Sequence, residues 1–317
     1  MVVIICNLAD LRWFLLLRFT SITMYTKTLL PFTFAASVAL TGAASAVNLF
    51  GLTNDNRISI VDSAAPTVGI GGGFVRGLLD NGERLIDIDY RPANGQLYAV
   101  SSFDRLYTID RSTFDLSLVG SGFSERLVGS SFGFDFNPAF MDGAFARIVS
   151  DTDNNRVVGG DTGDYLGTVE KTALFYAAGD TNEGADPNIG AIAYTNSVAG
   201  ATTTQQFGID LTIGSLVTVA NNAGTLETVG SLGITGPALT TDASLDISGE
   251  TGEAFAVLRN GPTSQLYTID LATGAATAVG QFGPGEEIVS VAAVPVPEPS
   301  SVLLLGLGSL AVLRRRK

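Results

Sequence analysis

The feature that most restricts this chain is a repeated unit that also occurs cut in two, one part at each end of the repeat array. "LYTID" stands at Leu106–Asp110 and again at Leu266–Asp270, and a longer match precedes each copy: "DYRPANGQLYAV" (Asp89–Val100) aligns without a gap on "DISGETGEAFAV" (Asp246–Val257). Each unit reads as an apolar strand, a Gly turn, an aromatic strand, a second turn, a "LYTID" strand with alternating sides, and a final Val-Gly strand ("SLVG" 117–120, "TAVG" 277–280). Asn94-Gly95 and Thr251-Gly252 supply the positive φ of a tight hairpin turn. A Gly follows four residues after Asp210 and Asp270, whereas Phe114 holds that place after Asp110. "FGFDFNP" (132–138), "RVVGGDTG" (156–163), "IGAIAYTN" (189–196), "FGIDLTIGSLVTV" (207–219) and "GTLETVG" (224–230) read as weaker copies.

The ends of the array define its closure. "LFGLTNDNRISIVD" (49–62) corresponds to the second and third strands of a unit with no first strand before them, and "EIVSVAAV" (287–294) is a lone first strand. Together they make one whole unit, as in a β-propeller whose ring is shut by pairing the terminal strands, which hides strand edges. Blades of about 40–50 residues over 47–294 give roughly five. The predicted fold is therefore all-β: a propeller of roughly five four-stranded blades, with a pair of β-sandwiches or an open solenoid as the competing architectures.

The flanking segments carry different chemistry. Met24 opens a stretch with Lys27, an apolar core over 29–40 and the small residues Ala44-Ser45-Ala46, the pattern of a secretory signal peptide cleaved after Ala46. Met24 is the expected start, and 1–46 is assigned as leader. At the other end, Val296-Pro297-Glu298-Pro299-Ser300 precedes an apolar run over 301–313 and then Arg314, Arg315, Arg316 and Lys317. At 1.5 Å per residue such a run spans about 20 Å, short of the ~30 Å hydrocarbon core, so a helix there would hold the inner membrane only transiently. In that order these parts resemble the PEP-CTERM sorting signal (295–317). The resemblance implies recognition by exosortase in exopolysaccharide-making Gram-negative bacteria, removal of the tail, and delivery to the cell surface or matrix; signal peptidase would act at the other end.

Between these ends, 47–299 holds eleven basic and thirty acidic residues, a net charge of −19, which opposes binding to nucleic acid or anionic lipid. There is no His, and the only Cys (Cys6) and Trp (Trp13) precede the exported part. A His general base, a thiolate nucleophile and a soft-metal site are thereby excluded from it. The motifs "LFGLTNDNRI", "RLYTID", "FDFNP", "GIDLTIGSLV" and "TVGSLG", with the long "AAGDTNEGADPNIGAIAYTNSVAGATTT", resemble an exported bacterial family known as domain of unknown function 4394, over 49–283. That resemblance implies no activity.

Candidate sites are few. Asp151, Asp153 and Asn155 have the alternate oxygen spacing of a calcium loop, and Asp180, Asn182 and Asp186 repeat the rhythm, although Arg156 and Thr162 depart from an EF-hand; ordinary Asx turns are the competing explanation. "GIGGGF" (69–74) reads as a loop joining blades. Asp87 and Asp89, on one face of a strand, have a spacing tolerable for glycoside cleavage, but Asp at strand ends more often caps turns. Tyr98, Tyr107, Phe255 and Tyr267 fall on repeated strand positions and read as core. The expectation is a non-catalytic binding or structural module associated with exopolysaccharide or surface proteins, with no cofactor required and Ca2+ the one candidate ion. A carboxylate-dependent hydrolase or lyase, or a calcium-stabilised scaffold, is the alternative.

Overall fold

A computed structural model describes residues 46–167, 172–234, 243–260 and 263–295. Ala44, the sorting residues Val296–Ser300 and Arg314–Arg316, and both expected terminal helices lie outside the described residues. Among those described, no helix is long and apolar enough to cross a membrane.

The strands form five sheets set around an axis. The first holds β1 (Asn48–Thr53), β2 (Arg57–Asp62) and β3 (Gly69–Phe74). The second runs β4 (Leu85–Arg91), β5 (Gln96–Ser101), β6 (Arg105–Ile109), β7 (Leu116–Val119). The third has three strands, β8 (Phe132–Phe136), β9 (Phe145–Ser150) and β10 (Asn155–Gly159). The chain then leaves this blade, and β11 (Phe175–Tyr176) joins the next sheet in parallel with β15 (Thr225–Ser231). That fourth sheet, with β12 (Ile189–Tyr194), β13 (Gln206–Asp210) and β14 (Ser215–Val219), has five strands. The fifth is β16 (Ala243–Ile247), β17 (Ala254–Asn260), β18 (Thr263–Ile269), β19 (Ala276–Gln281). Four strands per blade thus holds for three blades; the third has a single antiparallel bridge, Val158 to Tyr165, in the place of a fourth strand, and the fourth gains β11 at its edge.

The last strand, β20 (Ile288–Ala293), returns to the first sheet and pairs antiparallel with β1, with Leu49 opposite Ala293 and Leu52 opposite Ser290. The ring therefore shuts as the split unit predicts. The inner strands follow one another in the order β20, β4, β8, β12, β16 and back to β20. The core does not sit in one place. It is divided into five clusters, one at each seam between blades: for example Leu52, Ile88 and Tyr107 at the first, and Phe136, Ile148 and Tyr98 at the second. Fully burying each such side chain contributes about 1.5–3 kcal/mol. Tyr98, Tyr107 and Phe255 are buried in these clusters and Tyr267 packs against one.

Turn chemistry follows the sequence closely. Gly95 and Gly252 take φ of 65° and 70°, and Phe114, where the repeat otherwise has Gly, still adopts φ 59°. Its ring packs over Gly73 of the neighbouring blade, where a Cβ would meet it at 2.8 Å. This explains why "GIGGGF" is not the expected joining loop: it is β3, an exposed outer strand whose glycines let it lie along β2 and under Phe114. The inner strands approach as closely at the third seam, where a Cβ on Gly133 would stand 2.6 Å from the Ile192 amide nitrogen. Gly133→Ala should lower unfolding free energy in urea by about 1–3 kcal/mol, by forcing blades three and four apart.

Candidate functional site

An inner strand pairs on one side only, so its other row of amides faces the channel without a ladder partner. Here the preceding blade supplies the acceptors. Asp87 and Asp89 of β4 accept hydrogen bonds through Oδ2 from the Phe134 and Phe136 amides of β8, at 2.7 and 2.8 Å. Ser244 Oγ and Asp246 Oδ2 of β16 accept from the Val291 and Ala293 amides of β20, the first at 2.9 Å. All four bonds join residues 47 apart in sequence. Ser290 Oγ accepts from the Ile88 amide at 3.0 Å, and Asp135 of β8 accepts from the Tyr194 amide of β12. The fourth seam has Ala191 and Ala193 at these positions and relies on apolar packing.

One layer of this ring concentrates charge. At the equivalent position the five inner strands carry Ala292, Asp89, Asp135, Ala193 and Asp246. One carboxylate oxygen from each of the three acids lies within 4.8 Å of the others, and all three side chains are buried. No Lys or Arg forms an ion pair with them or with Asp87 among the described residues. Burial, more than anything else, lifts Asp87 to about 7 and Asp246 to about 6. Asp89 and Asp135 are pushed well up by burial and then by the neighbouring acids.

Above this layer the channel opens into a cup of about 580 Å³, with Asp89 and Asp246 in its floor and Tyr90, Arg111, Ser197 and Glu250 among its walls. The Arg111 guanidinium stands 5.7 Å from the Tyr90 ring centre. The opposite mouth, at the start of the inner strands, is a smaller cavity of about 310 Å³ crossed by the Arg259–Glu287 ion pair.

Residues 57–292 match a protein family described as Domain of unknown function (DUF4394), from β2 to β20. The chain belongs to that family. Residues 295–317 match the PEP-CTERM protein-sorting motif, which marks this DUF4394 protein as an exported one, processed by exosortase and sent to the cell surface or exterior. No curated protein matches the chain. Among solved structures, hydrazine synthase of Kuenenia stuttgartiensis is similar at 14% identity and a TM-score of 0.37, over 65% of this chain and 51% of that one. The chain spans about half the length of that protein.

The loop residues expected to hold calcium lie apart from the axis, on the third and fourth blades. Asp151 accepts from the Ser130 amide and hydroxyl. Asn155 is buried, accepts from Arg147 and donates to the Thr172 and Asn221 carbonyls. Asp180 accepts from the Asn182 and Thr228 amides, and the Asn182 side chain donates to Thr228 Oγ1. Asp153 and the exposed Asp186 do approach: burial, then Asp186 and Asp210, raise the Asp153 carboxyl. Of the axial acids, the sequence singled out Asp87 and Asp89 as a pair. Asp135 and Asp246 were visible as repeat positions but not as partners; the available signal was an Asp at the same place in three inner strands.

The axial shifts fix a pH dependence. A carboxyl whose folded pKa exceeds its unfolded value of 3.8 binds protons more tightly in the folded chain, so stability is lost as pH rises from about 4 through 7. The groups facing this layer are Asp87, Asp89, Asp135 and Asp246, with Tyr90, Tyr194, Arg147 and Arg111 around them. Carboxyls held low, such as Asp161 beside Arg91, act in the opposite sense and only at lower pH. In chelator, the melting temperature should therefore peak near pH 4–5 and fall toward pH 7.5, and Asp246→Asn should flatten that fall.

Proposed function

We propose that this exported protein is a non-catalytic binding or structural module of the cell surface or matrix, associated with exopolysaccharide, and that a neutral saccharide segment seats in the axial cup. The observation that carries this reading is the state of the acids in the cup floor. Asp89 and Asp246 each accept an amide on both oxygens, from Tyr90 and Phe136 and from Ile247 and Ala293. Acids fixed to the backbone in this way brace strands. Cleaving a glycosidic bond needs one acid free to protonate the leaving oxygen and a second carboxylate free to reach water or the sugar. The walls supply what a neutral sugar uses: an aromatic ring in Tyr90, and donors and acceptors in Arg111, Asn94 and Ser197. The surrounding net charge of −19 disfavours an acidic polymer.

A second reading, a carboxylate-dependent hydrolase or lyase, is favoured by the high pKa of Asp87, about 7, which suits a general acid. Its side chain faces β8 and β20 rather than the cup, bonded to Phe134 and Ser290.

The test is sedimentation of the full chain with the polysaccharide of the cells that make it. Binding should be saturable and weakened on the order of tenfold in Arg111→Ala, the scale of one hydrogen bond from a charged donor. Release of reducing ends, abolished in Asp87→Asn, would replace this reading with the hydrolase.

A further inference from the structure

We infer that the carboxylates of Asp89, Asp135 and Asp246 together bind one calcium ion on the propeller axis. The site is distinct from the surface loops at 151–155 and 180–186, and the inference does not depend on what the cup binds. Three buried carboxylates with ligand oxygens within 4.8 Å of one another fit one ion, because two oxygens held by calcium at 2.3–2.6 Å stand at most about 5 Å apart.

Close acids can also share protons without any ion. The independent observation is Asp135 Oδ1, a buried carboxylate oxygen with no hydrogen-bond partner. Asp89 and Asp246 each use Oδ1 to accept the amide of the next residue in their own strand, at 2.6 Å for both. Asp135 makes no such bond, and the Phe136 amide is given to Asp89 of the preceding blade. Two consecutive blades both place Asp in this layer around one donor, and a buried oxygen of Asp135 is left over in a layer that holds two other carboxylates. Buried charge of one sign without a partner is what a cation resolves.

The donor set selects the ion. All three ligands are hard oxygens and the exported part has no His or Cys, which disfavours transition metals. Each amide-bound oxygen keeps a second lone pair for the ion. Water entering through the cup, whose floor includes Asp89 and Asp246, completes a coordination shell of six to eight and gives the ion its path. The extracellular destination set by the sorting motif is where weak calcium sites of this kind are filled.

The experiment uses the full chain stripped with chelator and Ca2+ alone as the probe. Adding 1 mM Ca2+ should raise the melting temperature by about 5 °C, and titration calorimetry should give one axial ion per chain. Mg2+ at equal concentration should give less than half that shift. Asp135→Asn, which keeps an acceptor for the Tyr194 amide, should abolish the calcium shift; Asp153→Asn should leave it intact. No calcium shift in the wild type means that the acids share protons instead, and the inference falls. A shift retained in Asp135→Asn, or lost in Asp153→Asn, places the ion in the loops and also overturns it. Should Asp135→Asn fail to fold, the wild type decides: Tb3+ emission excited through tyrosine, displaced by Ca2+ and reduced in Tyr90→Phe, is expected, and its absence refutes the axial site.

Discussion

The hydrogen bonds from channel-facing amides to acids and hydroxyls one blade earlier hold the rest of the structure in place. Five sheets standing around an axis cannot hydrogen-bond edge to edge, because each twists away from its neighbour. Their innermost amides would otherwise be buried without partners, which costs about 1–3 kcal/mol each. Asp87, Asp89, Asp135, Ser244, Asp246 and Ser290 each reach across a seam to an amide one position beyond their own equivalent in the next strand. The same solution is reused with carboxylate or hydroxyl, and where it is missing, at Ala191 and Ala193, side chains small enough for close apolar packing take over. This satisfies the backbone at the expense of gathering acids in one buried layer.

That layer joins architecture to chemistry. The acids that close the ring are also the floor of the axial cup, so the cup and the braces share residues. A ligand resting there would contact strands from several blades at once, on a base that the seams make rigid. The channel acids thus hold the shape of the ring, in an exported protein that must stay folded outside the cell.

Much of this was legible in the residues, and unevenly so. The ring closure was readable because "LFGLTNDNRISIVD" and "EIVSVAAV" are unequal parts of one unit, and β1 pairs with β20 in the register this demands. The matched Asp89 and Asp246 do occupy equivalent places, three blades apart. What failed to show was anything set by neighbours distant in sequence. The glycines of "GIGGGF" make sense as a strand only once Phe114 is seen to lie over Gly73. The addition of β11 to the edge of the fourth blade leaves no local mark, since two residues of "FY" carry no period. The axial aspartates looked like turn caps because a single strand shows that they face one way, but not that another blade's amides are waiting there.

Amide hydrogen exchange measures the central claim most directly. Phe134, Phe136, Tyr194, Val291 and Ala293 donate across seams, outside any strand ladder. If the ring is braced as described, their amides exchange as slowly as those paired within the sheets, through the global unfolding route. Exchange at the rate of an open sheet edge, with the ladder amides still protected, would contradict it.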